Sequence, residues 1–261
     1  MKRFFAFVIM AILFASCAKQ IDAPADSISL QVSSNVSGLP YANCKLRSIA
    51  QEDLIFRPKI AYGQFTYYHH GNPFSLVYNA GSGNSDYYFY YDKKTRLSEL
   101  YVDGYLLPVK HRYTYNNKDQ IVIDTLFNAT TWTEEQGYVF APRLINVLTY
   151  DNKGRIIKEV STEASDGRPF ATYTYTYDNR GNLVVPGYNY PYDNKVSIFR
   201  AHPVFQFVNR NYSMNNPVQS AYNSKGLPLT FRPSNDAFFE APASNVGGFI
   251  GGLSKVIYDC Q

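Results

Sequence analysis

Of 261 residues only one is tryptophan, three are methionine, three cysteine and four histidine. Charged side chains make up 18% of the chain and leave a formal net charge of +4. So small an excess is not a nucleic-acid footprint, which needs a basic patch or stripe. No Cys-x-x-Cys spacing is present, which disfavours a zinc ribbon or a redox dithiol. The nucleophile-elbow, zincin, Walker and dinucleotide-binding signatures are also missing. No window holds a long helical period with caps, and a hydrophobic content of 45% excludes disorder and a coiled coil. What abounds is aromatic: 24 Tyr and 18 Phe. Wide flat rings pack across strands better than along helices, so the predicted fold class is all-β.

Residues 1–16 open with Met-Lys-Arg, run from Phe4 to Leu13 without a polar residue, and end on Phe14-Ala15-Ser16 before Cys17. That succession is a signal-peptide layout, and its apolar run is too short to span a bilayer. Ala15 and Ser16 ahead of a cysteine resemble a bacterial lipobox, with Phe14 where Leu is usual. The resemblance implies lipidation of Cys17 as the first mature residue; the alternative is ordinary secretion with a spectator cysteine. Two or three acyl chains anchor a protein stably where one is marginal. Loss of Lys2 and Arg3 lowers the formal charge to +2. Ala18 is not the aspartate that retains enteric lipoproteins at the inner membrane, so the resemblance implies the outer membrane, facing the periplasm or the cell surface. Residues 17–39, rich in Ser, Ala, Asp and Pro, read as a flexible tether, and residues 40–261 as a single β-rich domain. In an oxidising compartment the two remaining thiols, Cys44 and Cys260, are expected to form one disulfide; two buried free thiols are the alternative.

Aligning the tyrosines exposes a repeat. Tyr91-Asp92-Lys93-Lys94-Thr95-Arg96-Leu97, Tyr115 to Ile121, Tyr150-Asp151-Asn152-Lys153-Gly154-Arg155-Ile156 and Tyr177-Asp178-Asn179-Arg180-Gly181-Asn182-Leu183 share one pattern. Tyr222 to Pro228 is a degenerate copy, and Tyr68 to Pro73 reads as another. Spacings of 24, 35, 27 and 45 residues between the five clear tyrosines disfavour a solenoid of fixed rung and suit hairpins with variable outer loops. The leading Asp or Asn can bond backbone two residues on, and Gly154, Gly181 and Gly226 supply a positive φ. Asp119 tolerates that conformation, whereas Thr95 predicts a turn of another shape. Alternation puts Tyr173, Tyr175 and Tyr177 on one face, Leu97, Glu99 and Tyr101 opposite Ser98, Leu100 and Val102, and Ile121, Ile123, Thr125 and Phe127 in one stripe. Asp103-Gly104 signals a two-residue hairpin, and Tyr87 to Tyr91, aromatic on both faces, a central strand.

The motif at Tyr150 to Ile156 resembles the YD repeat of bacterial Rhs toxins and teneurins, though four copies over roughly Tyr87 to Val185 are too few for their cargo-enclosing shell. The whole chain is more similar to small lipoproteins of Bacteroidota carrying a few YD-like repeats and domains of unknown function. Tyr192 to Phe199, Met214-Asn215-Asn216-Pro217 and Tyr222 to Pro228 resemble their C-terminal arrangement. That resemblance implies an antiparallel meander of hairpins forming a curved sheet or partly open barrel, and it carries no catalytic residues.

Candidate chemistry is sparse. His69 and His70 point to opposite faces if extended and read as a turn beside Gly71-Asn72-Pro73; with His111 and His202 they make no metal motif. Each repeat turn offers one carboxylate beside a cation, too few oxygens for calcium, so Asp151, Gly154, Asp178 and Gly181 read as structural. Gly247 to Gly252 reads as part of a terminal strand. Glu134, Glu135, Glu159 and Glu163 would be the carboxylates of a hydrolase, but each reads as a solvated residue. Trp132, flanked by Thr130, Thr131 and Thr133, is the candidate binding residue, since an aromatic face can stack on sugars or apolar ligands. The expected function is a non-enzymatic, lipid-anchored binding or scaffold module without cofactor or metal, partnered by the membrane through Cys17 and by a polysaccharide or an envelope protein. The alternatives are a surface glycan-binding lipoprotein using exposed aromatics, and a secreted hydrolase.

Overall fold

The computed structural model describes residues 44–52, 60–104, 107–135, 137–184, 191–217, 221–231 and 253–260. The expected signal peptide, Cys17, the expected tether and Gly247 to Gly252 lie outside them.

Ten strands follow one another as antiparallel hairpins: β1 (Cys44–Glu52), β2 (Ile60–Tyr67), β3 (Pro73–Tyr78), β4 (Asp86–Tyr91), β5 (Leu97–Asp103), β6 (Val109–Tyr115), β7 (Ile121–Thr133), β8 (Gly137–Tyr150), β9 (Ile156–Glu163) and β10 (Pro169–Thr174). Two short ribbons come next, β11 (Thr176–Tyr177) with β12 (Leu183–Val184), and β13 (Tyr192–Val196) with β14 (Asn215–Pro217). Finally β16 (Leu253–Cys260) returns to pair with β1 and carries β15 (Thr230–Phe231) outside it. The result is one twelve-stranded antiparallel sheet, ordered from β10 through β1 to β16 and β15, which does not close into a barrel. Cys44 and Cys260 are cross-strand partners, and their sulfurs are bonded.

The turns share one construction. In four of them the leading Asp or Asn (Asp92, Asn116, Asp151, Asn223) accepts, through its side-chain oxygen, the backbone N–H groups two and four residues on, at 2.9–3.0 Å. The left-handed position falls on Thr95, Asp119, Gly154, Gly181 and Gly226, with φ between 56° and 84°. Thr95 therefore makes the same turn as the others, contrary to the expectation from its β-branch, because the Asp92 bonds hold the loop around it. The copy near residue 68 also exists, one residue earlier than its sequence suggests: Tyr67 takes the tyrosine position and Gly71, φ 90°, the glycine.

Each repeat tyrosine reaches back across its neighbour. The hydroxyls of Tyr91, Tyr115, Tyr150 and Tyr177 donate to the carbonyls of Pro73, Leu97, Ile121 and Ile156, the first residues of strands one hairpin earlier. Tyr67, Tyr192 and Tyr258 do the same to Leu46, Leu183 and Pro228. Each latch satisfies a carbonyl at the sheet's turn end, worth about 1 kcal/mol net.

Past each turn the register slips by one residue: Tyr91 faces Leu97 but Tyr90 faces Glu99, and the same skip recurs at Val122 and Ile157. This bulge corrects two of the predicted stripes. Leu97 shares the buried face with Leu100 and Val102, not with Glu99 and Tyr101; Ile121 shares it with Asp124 and Leu126, not with Ile123, Thr125 and Phe127. The alternation of Tyr173, Tyr175 and Tyr177 against exposed threonines is as expected. The hairpin at Asp103-Gly104 is longer than two residues, since Val102 pairs with Val109.

The buried face of the sheet is covered by an arm, a 3-10 turn (Ile198–Ala201) followed by α1 (Pro203–Val208). Phe205 inserts between Phe65 and Phe89, Phe207 meets Tyr113 edge-on, and Phe199 meets Phe231. Each fully buried phenylalanine is worth about 1.5–3 kcal/mol. Pro203 starts the helix where its missing N–H costs nothing, and His202 caps it, its Nδ1 accepting from the Val204 N–H.

Candidate functional site

Three places combine unusual chemistry with position. The first is a buried polar cluster where the arm meets repeats two and three. Asp124 and Glu159 occupy the repeat position that Leu100 fills in the first copy, and the bulge turns both inward. Glu159 is completely buried, which overturns its reading as a solvated residue. Between them sits the Arg210 guanidinium, donating from Nη2 to Asp124 at 2.6 Å, from Nε to Glu159 at 2.9 Å and from Nη1 to the Phe207 carbonyl at 2.8 Å. His111 Nδ1 lies 2.8 Å from the other Asp124 oxygen. Asn146 donates to the Asp124 carbonyl and accepts from Ser161. Burial pushes the Asp124 carboxyl up, but His111 and Arg210 outweigh it and hold the group below its usual range.

Arg210 stands just past α1 with φ 50°, where glycine is usual. The N–H groups of Arg210 and Asn211 close back on the carbonyls of Phe207 and Gln206, the pattern of a Schellman cap. The side chain therefore explains the residue: only arginine answers two carboxylates at once. Chemically the cluster is a clamp fixing the arm to the sheet.

The second place is a cleft of about 1220 Å³ between the arm and the turn end of the sheet. Tyr67, Tyr91, Tyr115 and Tyr150 line it from the sheet, and His202, Gln206 and Tyr212 from the arm. Burial pushes the Tyr150 hydroxyl up to about 12 and those of its neighbours higher, so the latches stay protonated donors. A smaller cavity of about 390 Å³ shares Arg200, Gln206 and Tyr212 with it.

The third is the outer face of the sheet. Tyr88, Tyr101, Lys110, Phe127 and Pro142 are successive cross-strand partners. Phe140, two residues before Pro142, extends the row and holds the Lys110 ammonium 4.4 Å from its ring centre. Further out Tyr138 pairs with Trp132 on a stretch where β7 and β8 have only each other. Trp132 is 59% exposed and Tyr138 40%.

The remaining candidates are dispersed. His69 and His70 lie in the turn between β2 and β3, and no group of metal-ligating side chains forms among the described residues. Glu163 pairs with Arg143, and Glu134 and Glu135 are exposed at the β7–β8 tip. Asp124 and Arg210 escaped the reading of the sequence, and His111 entered it only among the histidines that make no metal motif, yet a signal existed: in repeat frame, His111 and Asn146 replace Tyr87, and Asp124 and Glu159 replace Leu100.

No family model matches the chain, and no curated protein matches it. Among solved structures, the crystal structure of TcdB2-TccC3-TEV overlaps 67% of this chain at 13% identity with a TM-score of 0.30, and this chain spans 9% of that one. A likeness so slight bears on neither activity nor partners.

Proposed function

We propose that the chain is a lipid-anchored cell-envelope protein, similar to YD-repeat lipoproteins, that works as a non-enzymatic binding module through the outer face of its sheet. The observation that carries this reading is the ring row ending in Trp132. Its indole and the Tyr138 ring stand on a two-stranded arm outside the core, and exposed rings in a row mark a contact surface. Flat aromatic faces beside Lys110 suit a polysaccharide or the surface of an envelope protein. The buried carboxylates Asp124 and Glu159 are held by Arg210 beneath the arm, a structural use of this pair.

Two measurements test it. Purified protein applied to immobilised envelope polysaccharides and envelope extracts should be retained, and Trp132→Ala should lose retention with an unchanged melting temperature. A variant that unfolds, or one that binds as well as the parent, removes the outer face from consideration. Cys17→Ser should release the protein from carbonate-washed membranes; continued membrane attachment refutes the anchor.

A further inference from the structure

We propose that the smaller cavity, where the third and fourth repeat turns meet the arm, is a binding site for the acidic group of a carboxylate-bearing saccharide, independent of the outer face. Four cations line it: Lys153 and Arg155 from the third turn, Arg180 from the fourth, and Arg200 from the arm. Among the described residues no carboxylate lines it. Among the described residues Arg155 alone of the four forms an ion pair, with Asp151 at 2.6 Å, and its guanidinium stands over the Tyr177 ring, 4.0 Å from the centre. Arg180 donates to the carbonyls of Tyr192 and Asp193 and to the Asn215 side chain, bonds that fix its position, and it forms no ion pair among the described residues. Arg200 donates to the Met214 sulfur at 3.2 Å, a weak acceptor for a cation, and forms no ion pair among the described residues. Partial burial holds the Arg200 guanidinium below its ordinary range.

Convergence of like charges costs free energy that an anion would return, and bidentate guanidinium donors match a carboxylate. The volume, about 390 Å³, is at the scale of a small-ligand pocket. A sugar is indicated by the rest of the wall: the amides of Asn179 and Gln206 offer bonds to hydroxyls, and Tyr212 offers a ring. Arg200, Gln206 and Tyr212 also border the tyrosine-lined cleft, so a chain bound by its acidic end would continue along Tyr150 and Tyr115.

The test uses the full chain in detergent, with polygalacturonate as probe, dextran as the neutral control, and inorganic phosphate and phosphatidylglycerol vesicles as other sources of negative charge. Titration should show binding to polygalacturonate that weakens with salt, and none to dextran. The double variant Lys153→Gln with Arg200→Gln should weaken it at least tenfold while melting at or above the parent's temperature. Lys225→Gln, at an exposed cation of the degenerate turn outside the cavity, should leave this affinity unchanged, which separates the site from general surface charge. Binding of dextran, full affinity in the double variant, or a charge-dependent response to phosphate or vesicles without one to polygalacturonate each overturns the proposal.

Discussion

The cap of α1 makes stability depend on acid in a window that carboxylates do not explain. His202 accepts the Val204 N–H at Nδ1, and its Nε2 lies 3.2 Å from the Asn72 side-chain oxygen, an arrangement that a neutral ring protonated at Nε2 satisfies completely. A second proton would have to land on Nδ1 and would break the cap. Burial, with Lys45 and His70 nearby, moves the His202 pKa from 6.5 to about 4. Unfolded chain therefore takes up a proton near 6.5 that folded chain refuses until about 4. Stability from this group is complete above pH 6.5 and falls as pH drops through the window. At 1.36 kcal/mol per unit the full loss is about 3 kcal/mol, of which about 2 kcal/mol has gone by pH 5. Asp124 is held below 3.8 and loses its contribution further down; Asp86, raised by burial, works in the opposite direction and is half exposed. Urea unfolding followed by far-UV circular dichroism between pH 7 and 4.5 should show the decline. His202→Asn keeps a capping oxygen and removes the titration, so its profile should be flatter. Parallel profiles for parent and variant would refute the assignment.

Arg210→Leu takes the guanidinium away from the buried Asp124 and Glu159 carboxylates and should cost about 3–5 kcal/mol in urea denaturation at pH 7. Gly154→Ala should cost about 1 kcal/mol for its positive φ alone. Gly181→Ala should cost more, since its methyl would stand 2.8 Å from Met214 Cγ; equal melting shifts would contradict this. Tyr150→Phe leaves the Ile121 carbonyl without its latch and should cost about 1 kcal/mol, read by chemical denaturation.

Much of this was written openly in the sequence. Tyrosine spacing marks the hairpins, Asp and Gly mark their turns, and period-two runs mark strands such as Thr172 to Tyr177. The faces were legible only in part. A bulge at Ser98, Val122 and Ile157 leaves no compositional trace, because any residue can occupy it, and one skipped residue exchanges inside for outside. That is why Glu159 reads as a solvated residue and why the Arg210 clamp stayed hidden, Arg210 lying 86 residues from Asp124. Trp132, in a polar setting on a long hairpin, stands where its threonine neighbours suggested.

The tyrosine latches all point the same way along the chain. Tyr67, Tyr91, Tyr115, Tyr150, Tyr177 and Tyr192 each find their acceptor at a carbonyl already synthesised, never at one still to come. A chain synthesised amino end first can therefore add one hairpin at a time, each locking onto the last without waiting for later sequence. Assembly becomes a zipper with a built-in direction: one edge advances hairpin by hairpin, while the other, β1, stays open until β16 closes on it.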